Sequence, residues 1–207
     1  MAPEVLVEII KIVPSILWFV FVAVLIAWLY KPIKTELLPR LNQLKVYGVE
    51  ATFIRESLEQ AAKKQEIEIS KDAKSKVERR LQRDLPLLRQ MRILWVDDNP
   101  GNIIYESRIL RSAGAQVDIV ASTEQALYML SQDNYDMVIS DIARNGRPDE
   151  GLRFLADMRK QGLYRPTVFY ASAIDWDRGT PPYAFGITNR VDHLLHYVMD
   201  IAEREKI

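Results

Sequence analysis

The second half of the chain predicts an α/β fold built on parallel strands, and the first half predicts a membrane-crossing helix followed by a mostly helical connector. Three observations carry this. Arg92 to Asp98 is a short apolar run that ends in two adjacent carboxylates, Asp97 and Asp98, as a buried parallel strand feeding an acidic turn would read. Two later apolar runs, Asp136–Ser140 and Thr167–Ala171, deliver Asp141 and Ser172 at their own carboxyl ends, where open α/β sheets place their ligands. Far upstream, Ile12 to Tyr30 carries no charge and is rich in Leu, Ile, Val, Phe and Trp.

That uncharged stretch would span roughly 28 Å as a helix, close to the hydrocarbon core of a bilayer. Trp28 and Tyr30 suit the headgroup region, and Lys31, Lys34 and Arg40 follow, whereas Glu4, Glu8 and Lys11 precede. Basic flanks stay cytoplasmic. Residues 1–31 are therefore expected to be a single-pass anchor in the inner membrane, with the amino terminus outside and the rest of the chain in the cytoplasm. The core is too long and aromatic for a cleavable signal peptide, and no polar residue recurs at helical spacing to line a pore.

Residues 32–91 read as the connector. Ile33, Leu37, Leu41 and Leu44, then Ala51, Ile54, Leu58 and Ala61, recur at helix-like spacing, with Pro39 and Gly48 breaking a continuous rod. Leu44–Phe53 also fits an irregular strand. Ser70 caps a second amphipathic helix carrying Ala73, Val77, Leu81 and Leu85 on one face, and Pro86 is expected to end it. Arg79, Arg80 and Arg83 fall on the other side, as a solvated face or a contact for anionic lipid.

From Arg92 onward, strands and helices alternate. Asn99 before Pro100 is a start signal for a helix over Gly101–Ser112. Gln116–Val120 reads as the second strand, Thr123–Gln132 as a helix capped by Ser122, Glu150–Gln161 as the next helix, and Val191–Arg204 as the last, with Leu194, Leu195, Val198 and Ile201 as its buried stripe. Between Ser172 and Gly186 no helix is visible, because Thr180-Pro-Pro-Tyr breaks the period. His193 and His196 read as surface residues.

Carboxylates gathered at neighbouring strand ends raise one another's pKa unless a cation neutralises them. A hard divalent ion such as Mg2+ prefers oxygen ligands and keeps waters that a phosphate can displace. Asp97, Asp98, Asp141 and Ser172 thus suggest a Mg2+-dependent phosphoryl site.

On those positions residues 92 to about 203 resemble the receiver domain of bacterial two-component response regulators. The resemblance implies a doubly wound, flavodoxin-like, five-stranded parallel sheet over residues 92–207. It also implies Mg2+ on Asp97, Asp98, Asp141 and the Ala143 carbonyl, a phosphoryl group accepted by Asp141 from a histidine kinase, and Ser172 on the phosphoryl oxygens. The family's Lys-Pro pair at the end of the fifth strand is missing from Gly186-Ile-Thr-Asn-Arg-Val-Asp-His. Arg190 stands as the substitute cation, though a guanidinium is not equivalent to an ammonium. The loop Ile142–Gly151 is longer than usual, and its Arg144 and Arg147 are expected to fold over the site.

Lys and Arg number 28 against 28 Asp and Glu, and there is no cysteine. Nucleic acid is therefore not an expected partner, and disulfides and thiol chemistry are excluded. No NTPase loop, Gly-x-Ser-x-Gly or His-Glu-x-x-His occurs. The expectation is a membrane-tethered receiver, a signalling substrate rather than an enzyme, acting through protein contacts, with homo-oligomerisation compatible with it. The alternative is a phosphorylation-independent docking or oligomerisation module whose membrane helix carries the effect.

Overall fold

The computed structural model describes residues 52–204 and, ahead of them, Trp18, Phe21, Val22, Val24, Leu25 and Trp28. The chain divides into two compact units, Met1–Val49 and Glu50–Ile207. In the first unit the six described residues are helical and all but Val22 are exposed; the Trp18 and Phe21 rings stack at 5.6 Å. Among the described residues no helix is long and apolar enough to cross a membrane. The expected span over Ile12–Tyr30 lies largely outside them, as does most of the segment expected around Gly48.

The second unit opens with helix α1, residues 52–64, and α2, Lys71–Leu88. Then come β1 (Arg92–Val96), a 3-10 turn (Pro100–Ile103), α3 (Ile104–Ser112), β2 (Gln116–Val120), α4 (Thr123–Gln132), β3 (Met137–Ser140), α5 (Glu150–Lys160), β4 (Thr167–Tyr170), a 3-10 turn (Trp176–Arg178), β5 (Gly186–Thr188) and α6 (Val191–Arg204). The five strands form one sheet in the order β2-β1-β3-β4-β5, and every pairing is parallel. This is the doubly wound arrangement expected from the sequence.

Alternation along the strands sends successive side chains to opposite faces. Ile93, Trp95, Met137, Ile139, Val168 and Tyr170 pack on one face with α1, α2, α3 and α6. Leu94, Val96 and Val138 pack on the other against Ala126 and Leu130 of α4 and Phe154 and Met158 of α5. Leu58 of α1 and Leu81 and Leu88 of α2 are almost fully buried in the first core. The connector from residue 52 onward thus shares the core of the sheet.

Ser70 caps α2, its hydroxyl accepting from Ala73 N at 3.2 Å. Pro86 does not end the helix as expected. Its missing N–H costs one bond in the last turn, and the burial of Leu85 and Leu88 carries the helix two residues further. Arg79 and Arg83 are solvent-exposed, as a solvated helix face would be, whereas Arg80 is partly buried, and two of the three are engaged in ion pairs. Arg80 pairs with Asp84, Asp200 and Glu203, and Arg83 with Asp84 and Glu203, so together they fasten α2 to α6. His196 of α6 is half-buried and sits 3.2 Å from Arg80. Burial first, and the Arg80 charge second, push its pKa down.

The helix expected from Gly101 starts as a 3-10 turn, with α geometry only from Ile104. Asn99 makes no side-chain cap; its own N–H donates to Asp97 Oδ1 at 2.8 Å, and this redirects the entry to the helix. Between β4 and β5 the described structure has one 3-10 turn, consistent with the pair Pro181-Pro182 there. Arg159 of α5 pins this segment through the Tyr183 ring, 3.8 Å from its centroid.

Candidate functional site

Three parallel strands set the site. β1 ends at Val96, and Asp97 N still donates to Val120 O of β2 at 2.9 Å. Beyond β3, Asp141 N donates to Val96 O at 3.0 Å. Beyond β4, Ala171 N donates to Thr188 O at 3.2 Å, and Ser172 follows. These bonds extend the sheet register one residue past each strand, so Asp97, Asp141 and Ser172 converge on one cavity of about 360 Å³.

The carboxylates are not equivalent. Asp97 is 4% exposed, and its pKa is pushed up to about 6, chiefly by burial; the Asn99 N–H opposes this, and the charges of Asp141 and Asp98 add to it. Asp141 is also raised by burial, against the N–H groups of Ile142 and Ala143 and the Arg144 charge. Asp98 lies outside the cavity lining, its Oδ2 accepting from Asn145 N at 2.7 Å. Among the described residues no group of three or more His, Cys, Asp or Glu side chains is arranged to hold a metal. The cavity therefore offers one buried and one half-buried carboxylate, with Asp98 close enough to act on both through its charge. Oxygen-only donors that repel one another in a partly dry site fit a hard divalent cation that keeps several of its waters.

A raised carboxyl pKa means that the folded state holds its proton more tightly than the unfolded state. The stabilisation is complete below the unfolded value near pH 4 and is lost as pH rises through about 6. Without metal, Asp97→Asn is expected to gain about 2–3 kcal/mol of stability over wild type between acid and mildly alkaline pH. Urea melts across that range measure it; parallel curves for the two proteins would contradict it.

The loop after Asp141 is a tight hairpin. Arg144 and Arg147 exchange backbone bonds at 3.1 and 2.9 Å around Asn145 and Gly146, whose φ angles are 52° and 74°, a pairing suited to a two-residue turn. Arg144 does not fold over the site as expected. It is 1% exposed and lies inside, donating to Ser140 Oγ at 2.6 Å, Thr123 Oγ1 at 3.1 Å and Val96 O at 3.3 Å. Its charge acts on Asp97, Asp98, Asp141 and Glu150 from within. Arg147 pairs instead with Glu150 at 3.3 Å.

The loop returns against the site through Gly151, whose N–H donates to Ile142 O at 2.8 Å. A Cβ there would meet Asp141 O at 2.4 Å and Ile142 Cα at 2.9 Å. Both are backbone atoms and cannot step aside cheaply. Gly151→Ala is expected to cost about 1–3 kcal/mol and to displace Asp141; a melting temperature equal to wild type would contradict this.

Arg190 does not reach the cavity lining. It forms a two-pronged pair with Asp192 at 3.1 and 3.0 Å, so the expected substitute cation is engaged at the start of α6. The residue that follows β5 in the lining is Asn189. Sequence reasoning passed over it in favour of the charged neighbour. It also missed Lys64 and Gln65, which reach the cavity from the end of α1. Gln65 Nε2 bonds the Tyr170 hydroxyl, and that hydroxyl donates to the buried Glu106 at 2.8 Å. No local pattern marks them, because α1 is distant in sequence from every strand end.

Residues 93–178 match the response regulator receiver domain family. The chain contains a receiver domain. Its fold is that of the Francisella response regulator 1452 receiver domain, with a TM-score of 0.50 at 18% identity over 56% of this chain and 99% of that one. It is equally that of a two-component response regulator from Clostridium difficile, with a TM-score of 0.50 at 18% identity over 57% and 100%. A curated relative, the sensory/regulatory protein RpfC of Xanthomonas campestris pv. campestris, is 33% identical over 89 residues. That match covers 42% of this chain and 12% of RpfC. The receiver domain belongs to two-component signalling.

Proposed function

We propose that the protein is a membrane-tethered receiver that accepts a phosphoryl group on Asp141 from a histidine kinase or another phosphodonor and acts through protein contacts. The observation that carries this is the convergence of Asp97, Asp141 and Ser172 on one cavity beyond three parallel strands. An Asp141 carboxylate oxygen attacks phosphorus in line. The bond from phosphorus to the donor's nitrogen or oxygen breaks, its electron pair leaves with the donor, and Asp141 becomes an acyl phosphate. Such transfer depends on positioning and charge. Ile142 N–H at 2.7 Å orients the attacking carboxylate, and the Ser172 hydroxyl is placed to donate to a phosphoryl oxygen. Asp97 and Asp141, with Asp98 and the Ala143 carbonyl, are the groups that would hold Mg2+, which would supply charge neutralisation to the transferring phosphoryl group. The protein is a signalling substrate rather than an enzyme, and nucleic acid is not its partner.

The uncharged stretch Ile12–Tyr30 supports a single-pass inner-membrane anchor over residues 1–31 with the amino terminus outside. On this reading residues 32–91 connect it to the receiver part, 92–207, and place that part in the cytoplasm. Homo-oligomerisation through the anchor is compatible with this arrangement.

A second reading is a phosphorylation-independent docking or oligomerisation module. It is favoured by the engagement of Arg190 with Asp192 and of Asp98 with Asn145. Intact-mass analysis of the chain with acetyl phosphate and Mg2+ separates the two. One phosphoryl mass gained, and lost when Mg2+ is left out, supports the first; no gain by a folded chain supports the second.

A further inference from the structure

The phosphoryl site lacks a lysine from β5, yet its cavity contains one. Lys64, the last residue of α1, lines the same cavity as Asp97, Asp141, Ser172 and Asn189. Its ammonium donates to Gly101 O at 2.6 Å, on the turn that follows the acidic pair. Its charge also pulls the Glu106 carboxyl down against the effect of burial. Lys64 itself is solvent-exposed, and its one hydrogen bond in the structure goes to a neutral carbonyl, a weaker partner than an anion. The four-carbon stem is free to turn within the cavity toward a new charge.

The root of that stem is fixed. Ala61 and Ala62, just before it, are buried in the sheet's core. Gln65, just after it, is tied to Tyr170 and Glu106. The three arginines near the site do not serve. Arg147 is paired with Glu150. Arg144 is enclosed behind Asp141 with three hydrogen bonds, and Arg190 is paired with Asp192.

Resting on the phosphoryl-acceptor reading above, we propose that Lys64 is the cation that contacts the phosphoryl oxygens on Asp141, supplied by the connector helix in place of a lysine on the fifth strand. The receiver part is then incomplete without α1, and the charge state of Asp141 is felt directly by the helix that joins it to the preceding chain. Phosphorylation draws the ammonium off Gly101 O and onto the phosphoryl oxygens.

The test is the rate of phosphoryl incorporation into the full chain from acetyl phosphate with Mg2+, followed by intact mass. Lys64→Met is expected to slow it by about 10- to 100-fold, the range of one hydrogen bond to a charged group. Lys64→Arg should retain part of the rate, and Lys64→Met with Asn189→Lys should recover most of it, because the second change returns an ammonium to the cavity from β5. Mg2+ affinity, read by calorimetry, should change little in Lys64→Met, and circular dichroism reports its fold. Wild-type incorporation with Lys64→Met unchanged would overturn the Lys64 assignment and leave Asp141 as acceptor. A slow Lys64→Met that the Asn189→Lys change does not rescue would also overturn it. A wild-type chain that takes up no phosphoryl group would overturn the acceptor reading and the Lys64 assignment with it.

Discussion

Arg144→Met is expected to lower the stability of the folded unit by about 3–5 kcal/mol, the cost of removing one partner from a buried charge network. The guanidinium is 1% exposed, lies 5.4 Å from the Phe154 ring centroid, and holds Ser140, Thr123 and Val96 through three bonds. Its charge offsets those of Asp97, Asp98, Asp141 and Glu150. Without it the buried carboxylates face one another alone, and Thr123, which also donates to Glu150 at 2.8 Å, loses its second partner. Arg144→Lys should not rescue the loss, since a point ammonium cannot reproduce the planar fork. Combining Arg144→Met with Asp97→Asn should recover part of it, because the two groups interact and their effects are not additive. Urea unfolding of the four proteins measures all of this. A loss below about 1 kcal/mol for Arg144→Met would show that the arginine is not the internal counter-charge of the site.

Asp141→Asn is expected to abolish phosphoryl incorporation while leaving the fold intact. An amide lacks the nucleophilic oxyanion, but its oxygen still accepts the Ile142 N–H that holds Asp141 at 2.7 Å. Because burial raises the Asp141 carboxyl pKa, the neutral variant should also be more stable than wild type without metal near neutral pH, an effect that Mg2+ reverses. Intact mass with acetyl phosphate and Mg2+ gives the first result, and thermal melts with and without Mg2+ give the second. Undiminished incorporation in the variant would place the acceptor elsewhere.

β1, β3 and β4 were legible because each is a short apolar run that leads to a charge or a hydroxyl. Leu94 and Trp95, Val138 and Ile139, and Val168 and Phe169 are fully buried, since helices cover both faces of the sheet, and continuous burial leaves a continuous apolar signature. The same pattern placed Asp97, Asp141 and Ser172, whose positions follow from where the strands end. Side-chain direction at the site was not legible. Asp98 follows Asp97 without a gap, yet the hairpin at Asn145 captures it. Arg144 reads as a loop cation folding over the site, but it lies buried against Val96, Ser140 and Thr123, a placement that no sequence period announces. Pro86 was read by its usual effect on helices, and the burial of Leu88 outweighed it. Lys64 was the least visible, because nothing local ties the end of α1 to Gly101; only the shared core of connector and sheet brings them together.

Calorimetric titration of the metal-free chain with Mg2+, in parallel with Asp97→Asn and Asp141→Asn, tests the central claim most directly, that these two carboxylates form one oxygen site built for a divalent cation and a phosphoryl group. The account predicts one saturable Mg2+ site in the wild-type chain, weakened strongly by either substitution. No Mg2+ binding to the folded chain, or binding indifferent to both substitutions, would contradict it.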